Sequence, residues 1–339
     1  MKRRRAVALQ VAAVAMVASV VIGLCAGAAQ IPVSRVLWLL AHPSAQAAEP
    51  EAVILWEMRL PRVLVACLAG AALGVAGAMF QALFRNPMAD PYIIGASSGA
   101  GLGAVLAMLW WSGGHGCVQG LRMVPLAAFV GALGAVVLAY LLARTRAGVQ
   151  MFTLLLSGVS VNAFLSAMVS MVIYFAGKRL HEMIIWLMGG FVSASWPDVV
   201  LVAPYVLVGS GLAYLKSREL NAMALGEETA HVTGIDVGRT RLVIVGVASV
   251  LTAAAVAAGG LIGFVGLVVP HVLRIVGGAE HRYLIPASFF GGGALLVLAD
   301  TLSRVVIAPT ELPVGVITAL LGGPFFAWVL RRTRAKGQV

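Results

Sequence analysis

Ser217-Arg218-Glu219-Leu220-Asn221-Ala222-Met223-Ala224-Leu225-Gly226-Glu227-Glu228-Thr229-Ala230-His231-Val232-Thr233-Gly234-Ile235-Asp236-Val237-Gly238-Arg239-Thr240-Arg241 is the longest polar stretch in an otherwise apolar chain. Its pattern is partly helical. Lys216 and Arg218 bound it on one side, Arg239 and Arg241 on the other. Apolar runs flank it, so it reads as a charged island that faces water between two membrane spans. A membrane protein that keeps a structured island on one face usually presents it to a partner. Beyond it come an apolar run, a glycine-rich turn from Gly259 to Gly266, and Val268-Val269-Pro270-His271.

Composition sets the class. Of 339 residues, 61% are apolar and 11% charged, against roughly 45–50% and about 25% in a soluble domain. Disorder is excluded, and a soluble globular fold is argued against. Repeated apolar runs of about 20 residues suit helices that cross a bilayer. The 39 glycines fit helices packed closely in lipid. A net charge of +11 could suggest nucleic acid, but basic loops on the cytoplasmic face explain it more simply. No nucleic-acid partner is expected. Cys25, Cys67 and Cys117 are scattered, with neither a disulfide framework nor metal-ligand spacing.

Met1 to Arg5 followed by Ala6 to Ala29 imitates a signal peptide, yet the apolar run is long enough to cross, so it is read as an uncleaved first span. Further spans are expected near 61–82, 93–111, 122–143, 152–175, 198–215, 242–262, 264–276, 284–304 and 314–330. The stretch at 264–276 is too short to cross fully as a helix and contains Pro270 and His271. This makes an all-α membrane protein of about ten spans in one domain, 1–339, with both termini cytoplasmic. Of the 24 Lys and Arg, only Arg35, Arg59, Arg62, Arg122, Lys178, Arg179 and Arg304 then fall outside, in the positive-inside sense. The outer loop Gly177 to Pro197 is amphipathic around Trp186, which suggests a short interfacial helix.

No catalytic set is visible. A Gly-x-x-x-x-Gly-Lys-Ser/Thr phosphate loop is missing, so the chain does not hold ATP by that route. Six histidines are dispersed among loops and span ends. Acidic residues within the spans are sparse, which argues against an ion-coupled secondary transporter working alone. The energy source is therefore expected on another subunit. Arg59 and Arg62, in Arg59-Leu60-Pro61-Arg62, precede the second span, and Arg304 follows Asp300 by one helical turn. Interfacial snorkelling is the plainer reading of these arginines; a set of guanidinium forks for the carboxylates of a docking protein is the functional one. Asn86-Pro87-Met88-Ala89-Asp90-Pro91 joins the second and third spans. Its two prolines fix a rigid turn, either a simple connector or a constriction at the inner mouth of a pore.

Arg59-Leu60-Pro61-Arg62, Gly70-Ala71-Ala72-Leu73, Gln81 to Pro91, Gly263-Phe264-Val265-Gly266-Leu267-Val268-Val269-Pro270-His271 and Glu311-Leu312-Pro313-Val314-Gly315 together resemble the FecCD-type permeases. These are membrane subunits of ABC importers for iron-siderophores, haem and cobalamin. The resemblance runs from about Ala6 to Arg332. It implies the type II ABC importer permease fold and a homodimer around a central path in the inner membrane. It also implies two ABC ATPase subunits that carry ATP and Mg, a periplasmic or lipid-anchored substrate-binding protein, and no cofactor on this chain. By resemblance the segment about 217–241 couples to the ATPase through Gly226, Glu227, Ala230 and Gly234. Arg59, Arg62 and Arg304 match arginines that receive the binding protein. Asn86 and Met88 match an inner gate, with Met88 where Leu is common. The fifth and tenth spans are expected to line the path. The motifs do not choose among the cargoes.

Overall fold

Each long apolar run folds as a helix, because a backbone in lipid can pair only with itself. The computed structural model describes residues 2–27, 29–42, 49–110, 123–145 and 148–334; Cys117 and Arg122 lie outside them. In chain order the helices are α1 (Lys2–Cys25), α2 (Val33–Ala41), α3 (Pro50–Val53) and, after a π-helical turn Ile54–Arg59, α4 (Leu60–Leu83). Then come α5 (Ala96–Trp110), α6 (Met123–Ala143) and a minimal hairpin of β1 (Arg144–Thr145) and β2 (Gly148–Val149). After α7 (Met151–Tyr174), α8 (Leu180–Met188) forms the short helix expected in the amphipathic loop, and α9 (Trp196–Leu215) follows. The island folds as α10 (Ser217–Leu225) and α11 (Glu227–Val232). Last are α12 (Val237–Gly259), α13 (Val265–Gly277), α14 (His281–Val305) and α15 (Val314–Arg334).

Ten spans were expected, and among the described residues seven helices are long and apolar enough to cross: Lys2–Cys25, Pro50–Leu83, Met123–Ala143, Met151–Tyr174, Trp196–Leu215, Val237–Gly259 and His281–Val305. The runs at 93–111, 264–276 and 314–330 instead hold shorter apolar helices, Ala96–Trp110, Val265–Gly277 and Val314–Val329. Local chemistry sets these limits. Turns through Pro91 and Gly95 delay the start of α5. Phe264, left-handed at φ 69°, and Gly278, at φ 95°, bracket α13. Its 13 residues span only about 20 Å, short of a hydrocarbon core of about 30 Å.

α4 is the axis. Nearly every residue from Pro61 to Leu83 is buried, and α14, α12, α13, α9 and α1 pack around it. Small residues let the backbones touch. A Cβ on Gly70 would collide with the carbonyl oxygen of Gly292, one on Gly74 with that of Ser288, and one on Gly77 with that of Gly266. The first two contacts run α4 antiparallel to α14. A second seam joins α5 to α6, where Gly99 meets Gly131 and Gly103 meets Ala127. The start of α9 is set by a capping box: Ser195 and Asp198 satisfy each other's backbone amides, with Pro197 in the first turn.

Candidate functional site

The packing of α4 against α14 divides the candidate residues between two ends. α1 and α14 run parallel. Arg5, near the start of α1, donates to the Gly277 carbonyl (3.0 Å) and pairs with Glu280, just before α14. At the other end of the same helices lie Cys25 and Arg304. With 25 residues, α14 separates the two ends by about 37 Å.

Arg59, Arg62 and Arg304 come together at one end, where each is at most 8% exposed. A helix ends with bare carbonyls that need donors, and cations suit that negative end. Arg59 supplies such donors to α1, through Nη1 to the carbonyls of Leu24 (2.8 Å) and Cys25 (3.1 Å) and through Nη2 to that of Ala29. Arg304 supplies more, to Gly23 (3.0 Å) and Ala26 (3.1 Å). Arg62 instead faces carboxylates. Its Nε and Nη2 donate to Asp300 at 2.8–3.1 Å, and Nη1 and Nη2 meet Glu311 at 3.1 and 2.8 Å. The Asp300 carboxylate also forms an ion pair with Arg304, at 3.2 Å. The arginines line a depression of about 440 Å³ that also carries Glu57 and Glu311. Sequence reading placed these three arginines but not what holds them. Asp300 was visible as a one-turn neighbour of Arg304, whereas the carbonyls of α1 carry no side-chain signal.

The other end holds the island and the turn after α4. Gly226, at φ 132°, breaks α10 from α11, and Gly234, at φ 80°, turns the chain back toward α12; L side chains rarely adopt such φ values. Ala230 is fully buried under α11, while Leu225 and Val232 are largely exposed. Glu227 pairs with Arg241, whose Nη1 also donates to the Val149 carbonyl just before α7. Asn221, on α10, reaches the start of α14: its Oδ1 accepts from the His281 backbone N–H (2.9 Å) and lies 2.7 Å from Nδ1. An amide oxygen can only accept, so Nδ1 carries a proton. Arg241 was read from sequence only as a boundary of the island, and Asn221, His281 and Val149 were given no role, because each acts through a partner distant in the chain.

Asn86 and Met88 sit in this end's turn. Arg85 adopts φ 50°, and Asn86 Oδ1 accepts from the Met88 N–H at 2.9 Å, an Asx-type turn. Asp90 repeats the device with the Tyr92 N–H (2.9 Å), and the Tyr92 hydroxyl donates to the Ile262 carbonyl (3.1 Å). Gln81 donates to the carbonyls of Gly266 and Leu267 (3.3 and 3.2 Å). The turn is thus tied to the α12–α13 connection. Burial pushes the Asp90 carboxyl up to about 6, against the pull of the Tyr92 amide. Among the described residues no three His, Cys, Asp or Glu gather as metal ligands.

Known proteins resemble this chain in sequence and in fold. The family model described as the FecCD transport family matches residues 15–332. The cobalamin import system permease protein BtuC of Halobacterium salinarum is 46% identical over 283 residues, 84% of this chain and 74% of that one. The hemin transport system permease protein HmuU of Yersinia pestis is 40% identical over 281 residues, 82% of this chain and 83% of that one. A solved structure, described as an inward-facing conformation of a transporter assigned to the metal-chelate ABC type, superposes with a TM-score of 0.82 at 28% identity. It covers 96% of this chain and 99% of that one. A match across nearly the whole chain, with relatives of this identity and coverage, means that the chain belongs to the FecCD transport family.

Proposed function

We propose that the chain is the permease subunit of an inner-membrane ABC importer for a bulky metal chelate: cobalamin, an iron-siderophore or haem. Two copies form the path, two ATPase subunits hold ATP and Mg, and a substrate-binding protein delivers the cargo. The observation that carries this reading is the two-ended architecture, with buried arginines at one end of α4 and α14 and a structured polar island at the other. The names of the relatives support the cargo class, and they differ between cobalamin and hemin.

The seven long helices and three short ones together cross ten times, with both termini and the island in the cytoplasm. The distribution of Lys and Arg supports that orientation. Arg59, Arg62 and Arg304 receive acidic side chains of the loaded binding protein at their depression. The island docks on the ATPase, with Leu225 and Val232 as its exposed apolar contacts and Gly226, Glu227, Ala230 and Gly234 shaping it. When ATP closes the ATPases, movement of α10 and α11 passes by two routes. Asn221 hands it to α14 through His281. Glu227 hands it through Arg241 and Val149 to α7, which lines the path with α15. Asn86 and Met88 gate the cytoplasmic mouth on a turn braced against the α12–α13 connection. Broad exposed apolar faces on α7 (Phe152, Leu156, Phe164) and α15 (Leu320, Leu321) suit a dimer surrounded by lipid.

The test is uptake into liposomes holding the permease with its ATPase, with the binding protein and each chelate added in turn. Uptake that needs ATP and the binding protein is expected. Uptake by the permease alone on an ion gradient would establish the rival, a secondary transporter.

A further inference from the structure

The guanidinium of Arg62 has no free edge. One edge, Nε with Nη2, is taken by Asp300, and the other, Nη1 with Nη2, by Glu311. A planar fork offers two such edges to carboxylates. An incoming carboxylate can therefore bind Arg62 only by displacing one of the two. They are not equally displaceable. The Asp300 side chain is 1% exposed, fixed within α14, and shared with Arg304. The Glu311 side chain is 33% exposed and lies on the loop 306–313 between α14 and α15.

The same pair is a wall. The depression of about 440 Å³ and a second cavity of about 310 Å³ share Arg62, Glu311, Val192, Ser193 and Ala194 in their linings. The second cavity reaches Gly260, at the end of α12, and Val314, at the start of α15. Glu311 therefore stands on the boundary of both spaces.

We infer that Glu311 is an internal placeholder for the docking carboxylate. An acidic side chain of the binding protein takes its edge of Arg62, and Glu311 is released. The exchange conserves charge around Arg62, so the buried cation is never left half-paired. Release also loosens the loop, whose backbone ties beside Glu311 are Leu312 N–H to the Ser303 carbonyl and Val314 N–H to the Gly189 carbonyl (3.0 Å each). Docking thereby reaches the start of α15 and the wall between the cavities. This rests on the reading of the arginines as the docking end.

The test uses the permease–ATPase complex in lipid nanodiscs and the cognate binding protein, with association and dissociation rates measured for wild type, Glu311→Gln and Arg62→Lys. Glu311→Gln should tighten docking about 2- to 5-fold, the range for a partly exposed charge pair, through slower dissociation. Removing competition acts on dissociation, whereas a general gain in positive field acts on association. Tightening confined to association overturns the placeholder. So does unchanged or weaker docking of Glu311→Gln while Arg62→Lys weakens it, and then the docking role of the arginines stands. If both variants dock as wild type, the docking reading falls as well. Hydrogen exchange gives a second readout. The Leu312 amide should exchange faster in wild type once the binding protein docks, and should already be fast in undocked Glu311→Gln. No change on docking overturns the inference.

Discussion

Asp300→Asn removes the one carboxylate that serves two buried guanidiniums. Asp300 is fully buried, takes three hydrogen bonds from Arg62, and lies 3.2 Å from Arg304. After the change Arg62 keeps Glu311, but Arg304 is left with neutral acceptors: the carbonyls of Gly23, Ala26 and position 300 and the Thr301 hydroxyl. Removing one partner of a buried pair costs about 3–5 kcal/mol. Asn keeps the volume and one acceptor oxygen, so the lower end applies, about 3 kcal/mol. At roughly 2–4 °C per kcal/mol for a large domain, the melting temperature of the purified permease should fall by roughly 6–12 °C. Tryptophan fluorescence on heating, with size-exclusion as a check on assembly, measures this. The double variant Arg62→Met with Asp300→Leu removes both members of the central pair and should recover part of the loss. If Asp300→Asn melts within about 2 °C of wild type, less than 1 kcal/mol by the same scaling, the buried network does not stabilise this end.

Three further outcomes follow from the geometry. Gly70→Val drives a side chain into the Gly292 carbonyl and should abolish monodisperse protein on size-exclusion, whereas Gly134→Val, with nothing within 4 Å of its Cβ, should behave as wild type. Asn221→Leu removes both bonds to His281; the reconstituted complex should keep its ATP turnover while uptake per ATP falls several-fold. Asp90 holds its proton more tightly in the folded chain, with its carboxyl raised to about 6. Its contribution to stability is therefore fully present below about pH 4, the unfolded value, and is lost as the pH rises through about 6. Asp90→Asn should flatten this part of a melting-temperature profile between pH 4 and 7.

The long spans were legible because a run of about 20 apolar residues has few alternatives. The shortness of α13 was legible too, because the apolar run at 264–276 is itself too short to cross as a helix. The start of α5 was not, because Tyr92-Ile93-Ile94 reads as apolar span, yet it is held as a turn by Asp90 and by the Tyr92 hydroxyl on Ile262. At the island, Gly226 and Gly234 were marked by resemblance as coupling residues, and the structure has positive φ at both. The surroundings of the arginines were hidden for a physical reason. Arg59 is 35 residues from Leu24, and Arg304 is 281 from Gly23, and the acceptors are backbone atoms that every residue has. Sequence pattern reports which side chains are charged; it cannot report which carbonyls they will find.

The capping of α1 has a consequence for how the protein is made. α1 is synthesised first, but donors to its last carbonyls sit at positions 59 and 304. While the ribosome is still extending the chain, Gly23 and Ala26 must wait for α14 before Arg304 can reach them. The first span is thus completed by nearly the last, and a nascent chain halted before Arg304 displays an unfinished helix end.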